Sequence, residues 1–286
     1  MRRNPVGFRF GIAVATLIGL AVPVPASAAA DPPRADELVV VAPHPADSKD
    51  PLLGYLARPD DLGRLPAVVV LHGCNGYSWG MPAWASRLRS WGYVALAIDS
   101  LTPRHIANGC VGGGATDEAL DAFAALRYLQ AQRFVDPARI AVLGFSRGAG
   151  AALLAVDKGS LAGLFAAGFR AAVGYYPDCR GVSGVMAAPA LILGGEDDDW
   201  LPIQACRDMM ARRAGSGAPV TLIVYPGATH AFNIDAPPRV YLGHHLRYDA
   251  GAATDAEARV RAFLHDTLHA PADDNAARAI RKGDTP

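Results

Sequence analysis

Seven short apolar runs punctuate the chain, at 38–41, 66–71, 93–98, 140–143, 171–176, 190–193 and 220–224. None alternates with polar residues, and most stop at glycine, proline or aspartate. Such runs read as strands buried on both faces of a sheet. Helical spacing lies between them. Met81, Trp84, Ala85, Leu88 and Trp91 form one apolar stripe; Leu120, Phe123, Ala124 and Tyr128, inside 117–131, form another. Residues 149–156 read as a helix of small residues, and 202–213 as a further helix. Near the end, Thr254 with Glu257 makes a capping-box signature beside the stripe Ala256, Val260, Phe263 and Leu264. Strands alternating with helices predict an α/β fold, a mostly parallel central sheet with helices on both faces. The gaps are too short for a large cap domain. No repeat or composition break divides residues 29–270, which are expected to be one domain.

The two ends read differently. Arg2, Arg3 and Arg9 precede an apolar run of about 13 residues, Phe10 to Val22, followed by Ala26-Ser27-Ala28. That is the form of a cleaved secretory signal, 1–28, and the run is short of the ~20 residues that span a bilayer. A periplasmic or secreted protein is therefore expected, with no membrane association after cleavage. Residues 271–286 are polar and are expected to be a disordered tail. Composition is 51% hydrophobic against 19% charged, enough apolar material for a sizeable core. Loss of 1–28 takes three arginines and no acid from a formally neutral chain, leaving −3. A slightly acidic chain without basic clusters excludes a nucleic-acid partner. The sequence carries no signal for an oligomeric state.

The sharpest chemical signal is Gly144-Phe145-Ser146-Arg147-Gly148. It follows a predicted strand and opens a predicted helix, the context in which G-x-S-x-G acts as a nucleophile elbow. Glycines permit the tight turn, and the helix N-terminus behind Ser146 favours developing negative charge. A serine nucleophile needs a base. His230 follows the strand at 220–224, with glycine close by, whereas His44, His244, His245, His265 and His269 occupy positions typical of surface or packing residues. The histidine in turn needs a carboxylate to fix its tautomer. The loop Gly195-Glu196-Asp197-Asp198-Asp199-Trp200-Leu201-Pro202 supplies it, and the residues alone leave the choice open among Asp197, Asp198 and Asp199. The order serine, acid, histidine suits this scaffold. For the oxyanion hole, one donor is expected from the Arg147 amide and another from Cys74, in the loop His72-Gly73-Cys74-Asn75-Gly76. His72 is expected to shape that loop. No cofactor is required, and no His, Cys or Asp cluster has zinc spacing.

Together with Gly54-Tyr55-Leu56-Ala57, Leu71-His72-Gly73-Cys74, Tyr175-Tyr176-Pro177, His230-Ala231-Phe232 and Gly243-His244-His245-Leu246-Arg247-Tyr248-Asp249, these pieces resemble the dienelactone hydrolase family, over about 53–268. The resemblance implies an α/β-hydrolase fold and selects Asp198, four residues before Pro202, as the acid. It implies a hydrolase acting on small-molecule esters through an acyl-enzyme. The family's namesakes use cysteine where this chain has Ser146, which points to general ester hydrolysis and away from the dienelactone itself. Hydrolysis of peptides, acetylated carbohydrates or polyesters uses the same residues; a non-catalytic binding protein is disfavoured by the complete set. Four cysteines allow three pairings. Placed on the scaffold, they are expected to pair as Cys74–Cys110 and Cys179–Cys206, bracing loops of the site. The 243–249 segment receives no role from the sequence.

Overall fold

In a computed structural model, the described residues are 36–43, 50–61, 63–78, 80–111, 115–165 and 167–269. The expected signal 1–28 and tail 271–286 lie outside them.

The elements follow in chain order: β1 (Glu37–Val41), β2 (Leu52–Ala57), β3 (Leu65–Leu71), α1 (Gly80–Ser90), β4 (Val94–Asp99), α2 (Ala115–Gln130), β5 (Val135–Phe145), α3 (Arg147–Leu154), β6 (Ala171–Tyr175), β7 (Ala190–Gly195), α4 (Gln204–Arg213), β8 (Val220–Tyr225), β9 (Arg239–Tyr241), β10 (His244–Leu246) and α5 (Ala250–Leu268). Eight strands form one sheet in the order β1-β2-β4-β3-β5-β6-β7-β8, with β9 and β10 a separate hairpin. From β4 to β8 every neighbouring pair is parallel; β2 runs antiparallel to both β1 and β4.

The apolar runs sort their residues by period two. Val69 and Leu71 of β3 join one core, with Ala125 and Leu129 of α2, Leu153 of α3 and Met209 of α4. Val68 and Val70 join the other, with Trp84 and Leu88 of α1 and Val260 and Leu264 of α5. A strand buried on both faces needs no polar alternation, which is why the runs of β3 to β7 look continuous in sequence; the runs at 38–41 and 220–224 instead form the edge strands β1 and β8, where Leu38 and Val40 are exposed and most of β8 is half-buried. Burying a side chain such as Leu88 or Leu264 contributes about 1.5–3 kcal/mol.

Three strands escaped the pattern reading. β2 buries its residues unevenly, and Gly54 interrupts its apolar content. β9 and β10 have three residues each, too few to show a period. The last helix also starts earlier than the capping-box signature indicates. Asp249 is its N-cap, accepting from the Ala252 amide, and Thr254 instead donates to the Ala250 carbonyl inside the helix. A Thr-x-x-Glu spacing fits a helix interior as well as its start.

The parallel register brings the ends of the strands into line. Leu71 pairs with Gly144, Phe145 with Tyr175, and Gly195 with Tyr225. The loops after β3, β5, β7 and β8 therefore emerge at one sheet edge, the usual ligand-binding edge of such folds.

Candidate active site

Ser146 is the single residue between β5 and α3. Its φ of 52° lies in the left-handed region that a residue with a side chain rarely adopts. The flanking glycines are required by contact. A Cβ at Gly144 would sit 2.1 Å from the Gly148 carbonyl oxygen, and one at Gly148 would sit 2.3 Å from that of His72. The turn is held by the Ser146 amide donating to Tyr175, 2.9 Å, and by Ala149 and Gly150 donating to the Ser146 carbonyl.

Ser146, His230 and Asp198 lie 8%, 3% and 5% exposed, so the hydrogen bonds among them form largely out of water. His230 Nε2 is 3.0 Å from Ser146 Oγ, and Nδ1 is 2.8 Å from Asp198 Oδ2. An ionised carboxylate only accepts, so Nδ1 carries the proton and Nε2 is left to accept from the serine hydroxyl. The other carboxylate oxygen, Oδ1, accepts from the Trp200 and Leu201 amides at 2.9 and 2.8 Å. Asp198 is thus fixed at both oxygens.

The neighbouring acids face elsewhere. Glu196 pairs with Arg207, Asp199 bonds to His245, and Asp197 is exposed. Their hydrogen bonds to Arg207 and His245 hold the Glu196 and Asp199 carboxyls below the ordinary carboxylate range. Of the four acids in the loop, only Asp198 reaches the histidine.

The loop after β3 lies against Ser146. A Cβ at Gly73 would stand 3.6 Å from Ser146 Cβ, and Cys74 and Ser146 line the same cavity. His72 is buried. Its Nε2 accepts from the Ser100 amide at 3.1 Å, while Nδ1 lies 2.7 Å from the Gly73 carbonyl. Burial pushes its pKa below the ordinary value, consistent with a neutral ring shaping the loop. Cys74 is bonded to Cys110, and Gly109 donates to the Cys74 carbonyl at 2.8 Å. The Arg147 side chain closes this cluster: it donates to the Gly109 carbonyl at 3.0 Å and pairs with Glu118. The second disulfide, Cys179–Cys206, ties the loop after β6 to α4.

A cavity of about 450 Å³ opens beside Ser146. Trp84, Phe145, Tyr176, Trp200, Tyr241 and Leu246 make it mainly apolar and aromatic. Tyr176 packs on His230 at 4.6 Å and donates its hydroxyl to Asn233, and burial raises its pKa well above the ordinary range. The sequence reading missed these wall residues. Only Trp200 and the Tyr175-Tyr176-Pro177 motif carried a local signal, and neither revealed which way the rings point. Among the described residues, no group of three or more His, Cys, Asp or Glu is arranged to hold a metal ion.

A family model described as the dienelactone hydrolase family matches residues 52–268. A protein of Bradyrhizobium sp, described as a probable 2-oxo-3-(5-oxofuran-2-ylidene)propanoate lactonase, is 30% identical over 203 residues, covering 63% of this chain and 79% of that protein. Among solved structures, Thermogutta terrifontis esterase 2 phosphorylated by paraoxon superposes with a TM-score of 0.64 at 20% identity, covering 82% of this chain and 96% of that one. A dienelactone hydrolase-like promiscuous phosphotriesterase from metagenomic libraries gives 0.63 at 20% identity, covering 82% and 100%. At these identities the structural likeness shows the shared fold.

Proposed function

Because the chain belongs to the dienelactone hydrolase family, and is a hydrolase on that ground, we propose that it cleaves small neutral carboxylic esters with Ser146 as nucleophile, His230 as base and Asp198 as the orienting acid. The observation that carries this reading is the buried hydrogen-bonded line from Asp198 through His230 to Ser146.

Ser146 Oγ attacks the ester carbonyl carbon while its proton passes to His230 Nε2. Asp198 stabilises the imidazolium through Nδ1. The Arg147 and Cys74 amides take the negative charge on the carbonyl oxygen. The C–O bond to the alcohol breaks, and His230 returns the proton to the leaving alkoxide. Water then adds to the acyl-enzyme by the same route and releases the acid and free Ser146.

The apolar cavity supports an ester with an uncharged hydrocarbon portion. Residues 1–28 are proposed as an export signal, and the two disulfides fit an oxidising compartment.

A panel of p-nitrophenyl esters, run beside peptide and acetylated-sugar substrates, tests the reading. Ester turnover that falls on the order of 10⁴-fold in Ser146→Ala and His230→Ala is expected. Turnover confined to peptides or acetylated sugars, or surviving both substitutions, overturns it.

A further inference from the structure

The hairpin of β9 and β10 and the residues after it, 239–249, take no part in the proton transfers. They nevertheless touch both loops that make those transfers possible. On the histidine side, Leu246 bridges to His230 through the backbone. The Arg247 amide donates to Thr229 Oγ1 at 2.9 Å, its guanidinium donates to Gly227 at 2.6 Å, and the Asp249 amide donates to Phe232 at 2.9 Å. On the acid side, the His245 amide donates to the Asp199 carboxylate, and His245 Nδ1 lies 2.8 Å from Asp199 Oδ2. The His244 ring lies flat on the Trp200 indole, with centroids 4.8 Å apart and planes 11° apart. The same indole packs against the His230 ring at 5.0 Å.

Two hydrogen bonds fix the His230 ring only along the line joining Nδ1 and Nε2. Rotation about that line leaves both nitrogens in place but turns the Nε2 lone pair out of line with the serine hydroxyl, and the Nδ1–H out of line with the Asp198 carboxylate. Packing on the ring must resist the tilt, and Tyr176 and Trp200 supply aromatic contacts to it. Tyr176 is buried. Trp200 is only partly buried, so its own position depends on what lies against it. His244 occupies that place, and the neighbouring Asp199–His245 contact holds His244 there.

We infer that residues 239–249 act as a strap fixing the Asp198–His230 pair, and that Trp200 and His244 are positioning residues that set the tilt of the His230 ring. The inference rests on the proposed roles of Ser146, His230 and Asp198. Both histidines hold the acid loop: the His244 ring stacks on Trp200 and its Nδ1 lies 3.1 Å from the Asp199 carbonyl, while the His245 ring bonds to the Asp199 carboxylate. Aromatic stacking of this kind depends on the flat face and not on the imidazole nitrogens. A phenyl ring at 244 keeps the flat face against Trp200 and loses only the Nδ1 contact to the Asp199 carbonyl, so it should serve where a methyl group does not.

The test compares His244→Ala with His244→Phe in the full chain, using p-nitrophenyl acetate, a substrate too small to depend on the far cavity wall. His244→Ala is expected to lower kcat about tenfold, as a modest misplacement of a catalytic group does, with KM within about twofold. His244→Phe should restore kcat to within about twofold of wild type. A second readout is independent of turnover: the downfield proton NMR signal of the His230 Nδ1–H, sharp in wild type and His244→Phe, broadened or lost in His244→Ala. Unchanged kcat and an unchanged signal in His244→Ala overturn the strap. A His244→Phe variant as impaired as His244→Ala overturns the stacking role. If wild type hydrolyses no ester, the proposed function fails, and the NMR comparison still decides the positioning claim.

Discussion

Arg147 and Glu118 form an ion pair with 3.0 Å between Nε and Oε1, and the Glu118 side chain is 1% exposed. Arg147 follows the proposed nucleophile, Ser146, in sequence. Its side chain reaches from α3 to α2 and also holds Gly109, whose amide in turn holds the Cys74 carbonyl. The residue whose amide is proposed to take the oxyanion therefore also braces the loop proposed to supply the second donor. Removing one partner of a buried pair leaves an uncompensated charge, at about 3–5 kcal/mol. Glu118→Ala should lower stability by roughly that amount, read from the urea midpoint, and should lower kcat more than it changes KM. A variant as stable and active as wild type would refute the bracing.

The Cys74–Cys110 bond closes a loop with a sequence separation of 36 residues. On the chain-entropy model its loss costs about 4 kcal/mol. Because Cys74 is proposed as an oxyanion donor, Cys110→Ser should also reduce kcat, by about tenfold, part of the 10²–10³ lost when a donor is removed entirely. Steady-state kinetics at a temperature where the variant remains folded separates the two effects.

Gly148→Ala tests the packing of the turn at Ser146 against the loop after β3, the proposed oxyanion loop. The new methyl group meets backbone at 2.3 Å, the His72 carbonyl, which no side-chain rotation relieves. Helix α3 and residues 72–74 must separate. Activity on any ester should fall at least about 100-fold, as misplacement by about 1 Å does, with a lowered melting temperature.

His72 carries a pH signature. Burial depresses its pKa below the ordinary 6.5. A group depressed on folding contributes stability that is complete above its unfolded value and is lost as pH falls toward the folded one. Wild type should therefore lose stability faster between pH 7 and acid than His72→Gln, measured by urea unfolding across that window. Parallel profiles would show that His72 does not carry this linkage.

Much of this architecture was legible in the chain. The strands from β3 to β7 are buried on both faces and so announce themselves as unbroken apolar runs, whereas β8, at the sheet edge, is apolar but only half-buried. The elbow is legible because its glycines answer to contacts within a few residues. Asp198 was not separable from Asp197 and Asp199 by local pattern alone, because what distinguishes it is a turn that points one carboxylate inward. Glu118 and Asp121 carry no local signal of burial, yet both are buried against Arg147 and Arg104. Their partners come from other segments, and no periodicity reports that. Likewise, the Asn108 side chain donates to the Tyr241 hydroxyl at 2.8 Å, joining the Cys110 loop to the hairpin across a span that only the fold creates.

The proposed chemistry requires that Ser146 be a serine made reactive by His230, and covalent labelling reads this directly. Incubation with a fluorophosphonate probe, followed by mass-spectrometric mapping, should give one adduct, on the peptide carrying Ser146. The adduct should be absent in Ser146→Ala and formed orders of magnitude more slowly in His230→Ala. An unlabelled wild-type protein, or an adduct on any other residue, would contradict the assignment.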